Sequence, residues 1–197
     1  MRTAASSSER RTRGDAADRI LQSAVRRIVI SGATALTMHE VSEEAGVSKG
    51  LIHYHFHDKE TLLARMVEWI TGQLVARERA AFLNTEPRRA IDDLWSWLEA
   101  ELDRGHVRVL IELAEWRGSL VRRAIRASVA ARREAAAGSV EALFALLGLR
   151  SRVPVTLVAD VVVAFVNGLA AIRAVEPEIN TRAAFDVFWL ALLGLTE

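Results

Sequence analysis

Thr37-Met38-His39-Glu40-Val41-Ser42-Glu43-Glu44-Ala45-Gly46-Val47-Ser48-Lys49-Gly50-Leu51-Ile52-His53-Tyr54-His55-Phe56 is the stretch whose reading decides the fold. Thr37 and Glu40 have the spacing of a capping box, in which the hydroxyl accepts from the Glu40 amide and the carboxylate reaches back to the Thr37 amide. Val41 and Ala45 then share the inner face of a short helix. Gly46 ends that helix because the turn calls for positive φ. Val47 plugs the core at the turn, Ser48 caps a second short helix from Lys49 to about Tyr54, and Ile52 points inward on it. Two short helices joined by a glycine-containing turn of three to four residues form a helix-turn-helix.

Outward from this motif the apolar spacing stays helical. Ile20, Leu21, Ala24, Val25 and Ile28 make one stripe, with Asp15 placed to cap its start and Gly32 to close its end. Pro87, Pro154 and Pro177 sit at polar breaks between periodic segments. After Asn84-Thr85-Glu86-Pro87, a helix carries Ile91, Leu94, Trp95, Leu98 and Leu102 on one face. Further helices are expected over His106–Trp116, Leu120–Leu147 with Gly138 as a weak point, Thr156–Ala174, and Thr181–Leu195 with Asn180 as its cap. No alternating pattern or hairpin turn appears. The expected fold is all-α, with roughly nine helices.

Residues 20–63 resemble the DNA-binding domain of the TetR family of transcription regulators. The matching residues are Ile20-Leu21, Ala24, Gly32, Thr37, Ala45-Gly46-Val47-Ser48-Lys49-Gly50, His53-Tyr54-His55-Phe56, Lys59-Glu60 and Leu62-Leu63. His53 stands where the family commonly has tyrosine, and His57 where proline or glycine is common. The resemblance implies that Lys49-Gly50-Leu51 and His53-Tyr54-His55 lie on a recognition helix in the major groove, with Ser48 at its start. It also implies that Thr37 and Lys59 contact phosphates and that His39 reaches a base or the backbone. Chemistry agrees with these roles, since Gly50 permits close approach and Lys59 sits at a helix N-terminus that favours phosphate. Lys49 and Lys59 are the chain's only lysines.

Composition alone does not point to DNA. The 197 residues carry a net charge of +1, and residues 1–63 hold nine Lys/Arg against eight Asp/Glu. The absence of cysteine excludes disulfide scaffolds, thiolate metal sites and cysteine catalysis, and suits a reducing cytosol. The opening lacks a signal peptide's apolar core, and no apolar run reaches the ~18 residues of a membrane span, Thr156–Ile172 being broken by Asp160 and Asn167. A cytoplasmic location is therefore expected. No nucleophile–base pair, phosphate-binding loop or dinucleotide fingerprint is present, so no enzyme activity or cofactor is expected. His53, His55 and His57 beside Asp58 supply the one rival, a helical metal-dependent enzyme. Only His53 and His57 share a helical face, which leaves that site short of a third ligand.

Three domains are expected: a disordered basic arm over 1–14, a helix-turn-helix domain over 15–63, and a helical ligand-binding and dimerisation domain over 64–197. Arg2, Arg10, Arg11 and Arg13 of the arm either follow a phosphate backbone or form a solvated tail. In proteins similar to this one the last two helices of each subunit form a four-helix dimer interface. Here those are residues 156–174 and 181–195, with Phe165, Phe188 and Leu192 among their apolar side chains. A two-fold dimer spaces its recognition helices by ~34–36 Å and reads a near-palindromic operator. A small-molecule effector is expected to release a repressor from that operator, while a regulator without an effector remains the second reading. Of Trp95, Trp97 and Trp116, the first fits plain core best. The residues expected to meet an effector are Trp95, His106, Glu112, Trp116, Phe165 and Asn167, which combine aromatic and polar character.

Overall fold

The computed structural model describes residues 3–81 and 85–197, with side chains from residue 15 onward. Nine helices run through these residues: α1 (Thr3–Ser31), α2 (Met38–Glu44), α3 (Lys49–His55), α4 (Lys59–Ala81), α5 (Ala90–Arg104), α6 (His106–Ala114), α7 (Ser119–Leu147), α8 (Val155–Val175) and α9 (Thr181–Leu193). Among the described residues the only extended pairing is an isolated bridge, Ser151 with Thr196.

The start of the chain departs from expectation. α1 begins at Thr3, so the arm expected to be disordered over 1–14 is helical from that residue, and Asp15 lies inside the helix instead of capping it. Alanine, glutamate and arginine all favour helix, and the one breaker, Gly14, costs only about 1 kcal/mol. Met1, Arg2 and Asn84 lie outside the described residues, as do the side chains of Arg10, Arg11 and Arg13.

The chain divides into two compact units. One comprises Met1–Trp69 and Glu112–Ile125, the other Ile70–Ile111 and Arg126–Glu197. The divisions fall inside α4, α6 and α7, and α7 continues through Gly138 without a break. In the first unit, Ile20, Ile28, Val41, Ile52, Leu62, Leu63 and Met66 are fully buried. The ion pairs Arg27–Glu40 (2.7 Å) and Arg26–Glu44 (2.8 Å) join α1 to α2.

The second unit packs α5, α8 and α9 around Leu98, Val107, Leu169 and Phe185, and a further cluster gathers Ala90, Leu143, Val158 and Trp189. α8 is long and apolar enough to cross a bilayer by length and composition, with a mean hydropathy of 2.2. Its polar positions are nonetheless partnered within this unit. Asp160 pairs with Arg133 and Asn167 accepts from Arg132, which accounts for them as packing residues.

Candidate nucleic-acid interface and interior cavity

The motif is held by bonds between near neighbours. Thr37 Oγ1 accepts from the Glu40 amide at 3.2 Å, and the Thr37 amide donates to Glu40 Oε2 at 3.2 Å. The Thr37 hydroxyl also donates to Glu40 Oε2 at 2.8 Å, so its proton is engaged within the cap. Chiefly through this hydroxyl, the Glu40 carboxyl is held below its usual range. Gly46 has φ +63°, and the Val47 amide returns to the Ser42 carbonyl at 2.9 Å. Ser48 Oγ then accepts from the Leu51 amide at 3.1 Å and starts α3.

With Ile52 and Phe56 turned into the core, α3 presents its other side to solvent. Ser48, Lys49, Gly50, His53 and Tyr54 are exposed, Tyr54 by 61%, while Leu51 and His55 are half-buried. His53 Nδ1 lies 3.1 Å from the His57 carbonyl, where it can donate, and exposed His39 faces Glu43 at 3.4 Å. Among the described residues no group of three or more His, Asp or Glu side chains is placed to hold a metal ion.

Lys59 is less free than its sequence position suggests. Its ammonium donates to the Thr34 carbonyl at 3.0 Å and lies 5.2 Å from the Trp116 ring centroid. Partial burial lowers its pKa. This arrangement brings Trp116 into the first unit. Glu112 belongs there too, since its carboxylate accepts from the Ala33 amide. Glu60 Oε1 receives the Leu120 amide at 2.8 Å at the start of α7.

The second unit holds a cavity of about 70 Å³. Most of its wall is leucine, valine and aromatic carbon, and Phe165 and Phe188 stack within it with centroids 3.9 Å apart. Glu78, Trp97, Arg132 and Ser139 supply the polar groups. Ser139 Oγ donates to Glu78 Oε1 at 2.8 Å, and Arg132 Nη2 donates to Asn167 Oδ1 at 2.7 Å. Burial raises the Glu78 pKa, with Ser139 and Arg132 opposing it, and lowers that of Arg132, with Glu78 opposing. Trp97 Nε1 is buried without a hydrogen-bond partner.

Of the residues expected to meet an effector, the structure brings only one into the wall of this cavity. Phe165 lines the cavity, and Asn167 stands behind Arg132 as its acceptor. Trp95 is a core residue packed on Phe185 at 5.3 Å. His106 belongs to a buried polar cluster in which Arg77 grips Glu101 through two nitrogens, Arg104 adds a third bond, and Arg77 Nη2 meets His106 Nδ1 at 3.0 Å. Glu112 and Trp116 are engaged in the first unit, as described. Sequence reasoning passed over Glu78 and Arg132 because a charge on an amphipathic helix reads as its solvated side. Trp97 was legible as an aromatic, but its helical phase was not.

A second surface of this unit is apolar and exposed. Along α8, Leu157, Val161, Ala164, Gly168, Ala171 and Val175 recur at alternating steps of four and three, and every one is exposed. On α9, Ala183, Val187 and Leu190 continue the same rhythm, the last two exposed by 69% and 66%. That period is the one by which helices pack against partner helices. Phe188, by contrast, faces the cavity.

Residues 20–66 match the family described as "Bacterial regulatory proteins, tetR family". The chain is 36% identical over 55 residues to an uncharacterized HTH-type transcriptional regulator, YerO, of Bacillus subtilis, covering 28% of this chain and 19% of that protein. It is 35% identical over 79 residues to the HTH-type transcriptional regulator BetI of Rhizobium meliloti, covering 38% and 37% respectively. The matched stretches thus span well under two thirds of these curated relatives. A crystal structure of a putative TetR-family transcriptional regulator from Rhodococcus sp. superposes with a TM-score of 0.73 at 22% identity, over 92% of this chain and 98% of that one. At that identity the likeness speaks for the fold.

Proposed function

Because this chain belongs to the tetR family of bacterial regulatory proteins through its N-terminal helix-turn-helix, we propose that it is a cytoplasmic, dimeric repressor released from operator DNA by a small molecule. The exposed side of α3 carries the reading. Lys49, His53 and Tyr54 stand out from a helix whose opposite side is locked by Ile52, so they are free to meet base edges and phosphates. Ser48, Gly50, Leu51 and His55 complete the recognition surface, and Thr37, His39 and Lys59 approach the flanking backbone. With the Thr37 hydroxyl proton engaged by Glu40, Lys59 is the stronger phosphate ligand of the two.

The exposed stripes of α8 and α9 support a two-fold dimer, the arrangement that matches a near-palindromic operator. The apolar cavity supports an effector. Such a molecule releases DNA only to the extent that it binds one state of the protein better than the other. Binding DNA and a small molecule in this way needs no metal or organic cofactor.

Selection from a random duplex pool, followed by titration at several salt concentrations, tests the DNA assignment. The expected result is a near-palindrome whose affinity falls steeply with salt. Lys59→Ala should weaken binding to all sequences alike and reduce the salt slope by about one unit. Sequence-indifferent or salt-independent binding would overturn the proposal.

A further inference from the structure

The polar groups of the cavity specify the kind of molecule it receives. Resting on the effector reading above, we infer that the cavity binds an uncharged, mostly apolar molecule bearing one hydrogen-bonding oxygen, such as a ketone, ester or alcohol. Its volume, about 70 Å³, compares with the roughly 10–15 Å³ that one water requires, so it accommodates a small organic molecule. Its wall is largely carbon, which selects an apolar body.

Charge balance selects the head group. Glu78 and Arg132 are the two ionisable groups in the wall, opposite in sign and coupled through space. Each has a neutral group as its direct partner, Ser139 for the acid and Asn167 for the base. Outside the wall, Arg79 and Glu101 act on Glu78 in opposite senses, and Glu101 is itself held by Arg77 and Arg104. The polar end therefore sums to no net formal charge. A carboxylate or an ammonium entering it would leave water without an unpaired counter-charge to meet. The opposed pKa directions of Glu78 and Arg132, both driven first by burial, mark a site where a further charge is costly.

An uncharged oxygen meets no such obstacle, and donors are available to it. Arg132 carries five N–H groups, one of them on Asn167, and the buried indole N–H of Trp97 has no acceptor. A ligand oxygen within reach of the Trp97 N–H satisfies a donor that the protein leaves short.

The test uses the full chain and four seven-carbon probes at pH 8: 2-heptanone, 1-heptanol, heptanoate and heptylamine. Calorimetry and thermal unfolding should show the ketone and the alcohol binding at least tenfold more tightly than either ion. Trp97→Phe, which keeps an aromatic side chain but removes the N–H together with the five-membered ring of the indole, should weaken the ketone about three- to tenfold, and more than it weakens n-heptane, which has no oxygen to lose. Glu78→Gln leaves the Arg132 charge unbalanced and should shift preference toward heptanoate by tenfold or more. Should that variant fail to fold, the wild-type series and Trp97→Phe still decide the matter. Equal or tighter binding of an ion to the wild type, binding of none of the four, or a ketone affinity that falls no more than that of n-heptane in Trp97→Phe overturns the assignment. Operator binding separates this from the effector reading. If the ketone binds but leaves DNA affinity unchanged, the switch fails and the ligand class stands. If heptanoate binds best and releases the operator, the reverse holds.

Discussion

Replacing Leu190 by aspartate places a carboxylate at the C-terminal end of the exposed stripe on α9. Leu190 is 66% exposed in the single chain, so about two thirds of its side chain remains to be covered by a partner. Full burial of a leucine is worth about 1.5–3 kcal/mol, which makes that share about 1–2 kcal/mol per copy. In a two-fold dimer the residue appears twice, giving about 2–4 kcal/mol before any penalty for the new charge. That corresponds to a dimer dissociation constant weakened by roughly 30- to 1000-fold, and burying the aspartate adds to it. Sedimentation at low micromolar concentration should then show monomer for the variant and dimer for the wild type. Because the side chain lies on the single chain's surface, monomer stability should move by no more than about 0.5 kcal/mol, so dissociation is separable from misfolding. Operator affinity should fall with dimerisation. A variant that remains dimeric across the concentration range would show that this face of α9 is not the interface. Phe188, named above among the apolar side chains of the expected interface, is unsuitable for this test because it stacks on Phe165 in the cavity wall.

Other substitutions probe the local geometry. Thr37→Ala removes the hydroxyl half of the capping box, leaving the backbone amide of residue 37 to donate to Glu40, and should cost about 1 kcal/mol in chemical denaturation; no loss would mean the hydroxyl is dispensable. At Gly118 a Cβ would fall 2.5 Å from Glu60 Oε1, so Gly118→Ala must displace the carboxylate that receives the Leu120 amide. Losing that bond should cost about 1–2 kcal/mol, and Gly118→Ala should be nearly silent in a Glu60→Ala background; additive effects would refute the coupling. Burial first, and then the Arg77 charge, lower the His106 pKa below its usual 6.5. The folded state holds a neutral imidazole whose Nδ1 accepts from Arg77, whereas the unfolded chain protonates first as pH falls. His106 therefore contributes stability that is full above pH 6.5 and lost as pH falls through its depressed value. The urea midpoint of the wild type should drop more between pH 7.5 and 5.5 than that of His106→Gln, and parallel pH dependences would exclude this linkage.

The features legible in residue order alone are those that act at short range. Thr37 with Glu40, Gly46, and Ser48 with the Leu51 amide act across one to three residues, so the helix-turn-helix could be read from the order of residues. The Asn180 cap was legible for the same reason, its side chain accepting from the Ala183 amide at 2.9 Å. The tertiary structure decided which distant segments meet. Glu112 and Trp116 were expected at an effector site, and the chain's return to the first unit places them against Ala33 and Lys59, contacts no local pattern foretells. Glu78 and Arg132 carried no signal in the sequence, and packing buries both. α9 makes the limit plain, since Val187, Phe188 and Leu190 are all apolar and an apolar arc that wide leaves the inward face undecided. Packing alone turned Phe188 toward the cavity and left Val187 and Leu190 outside.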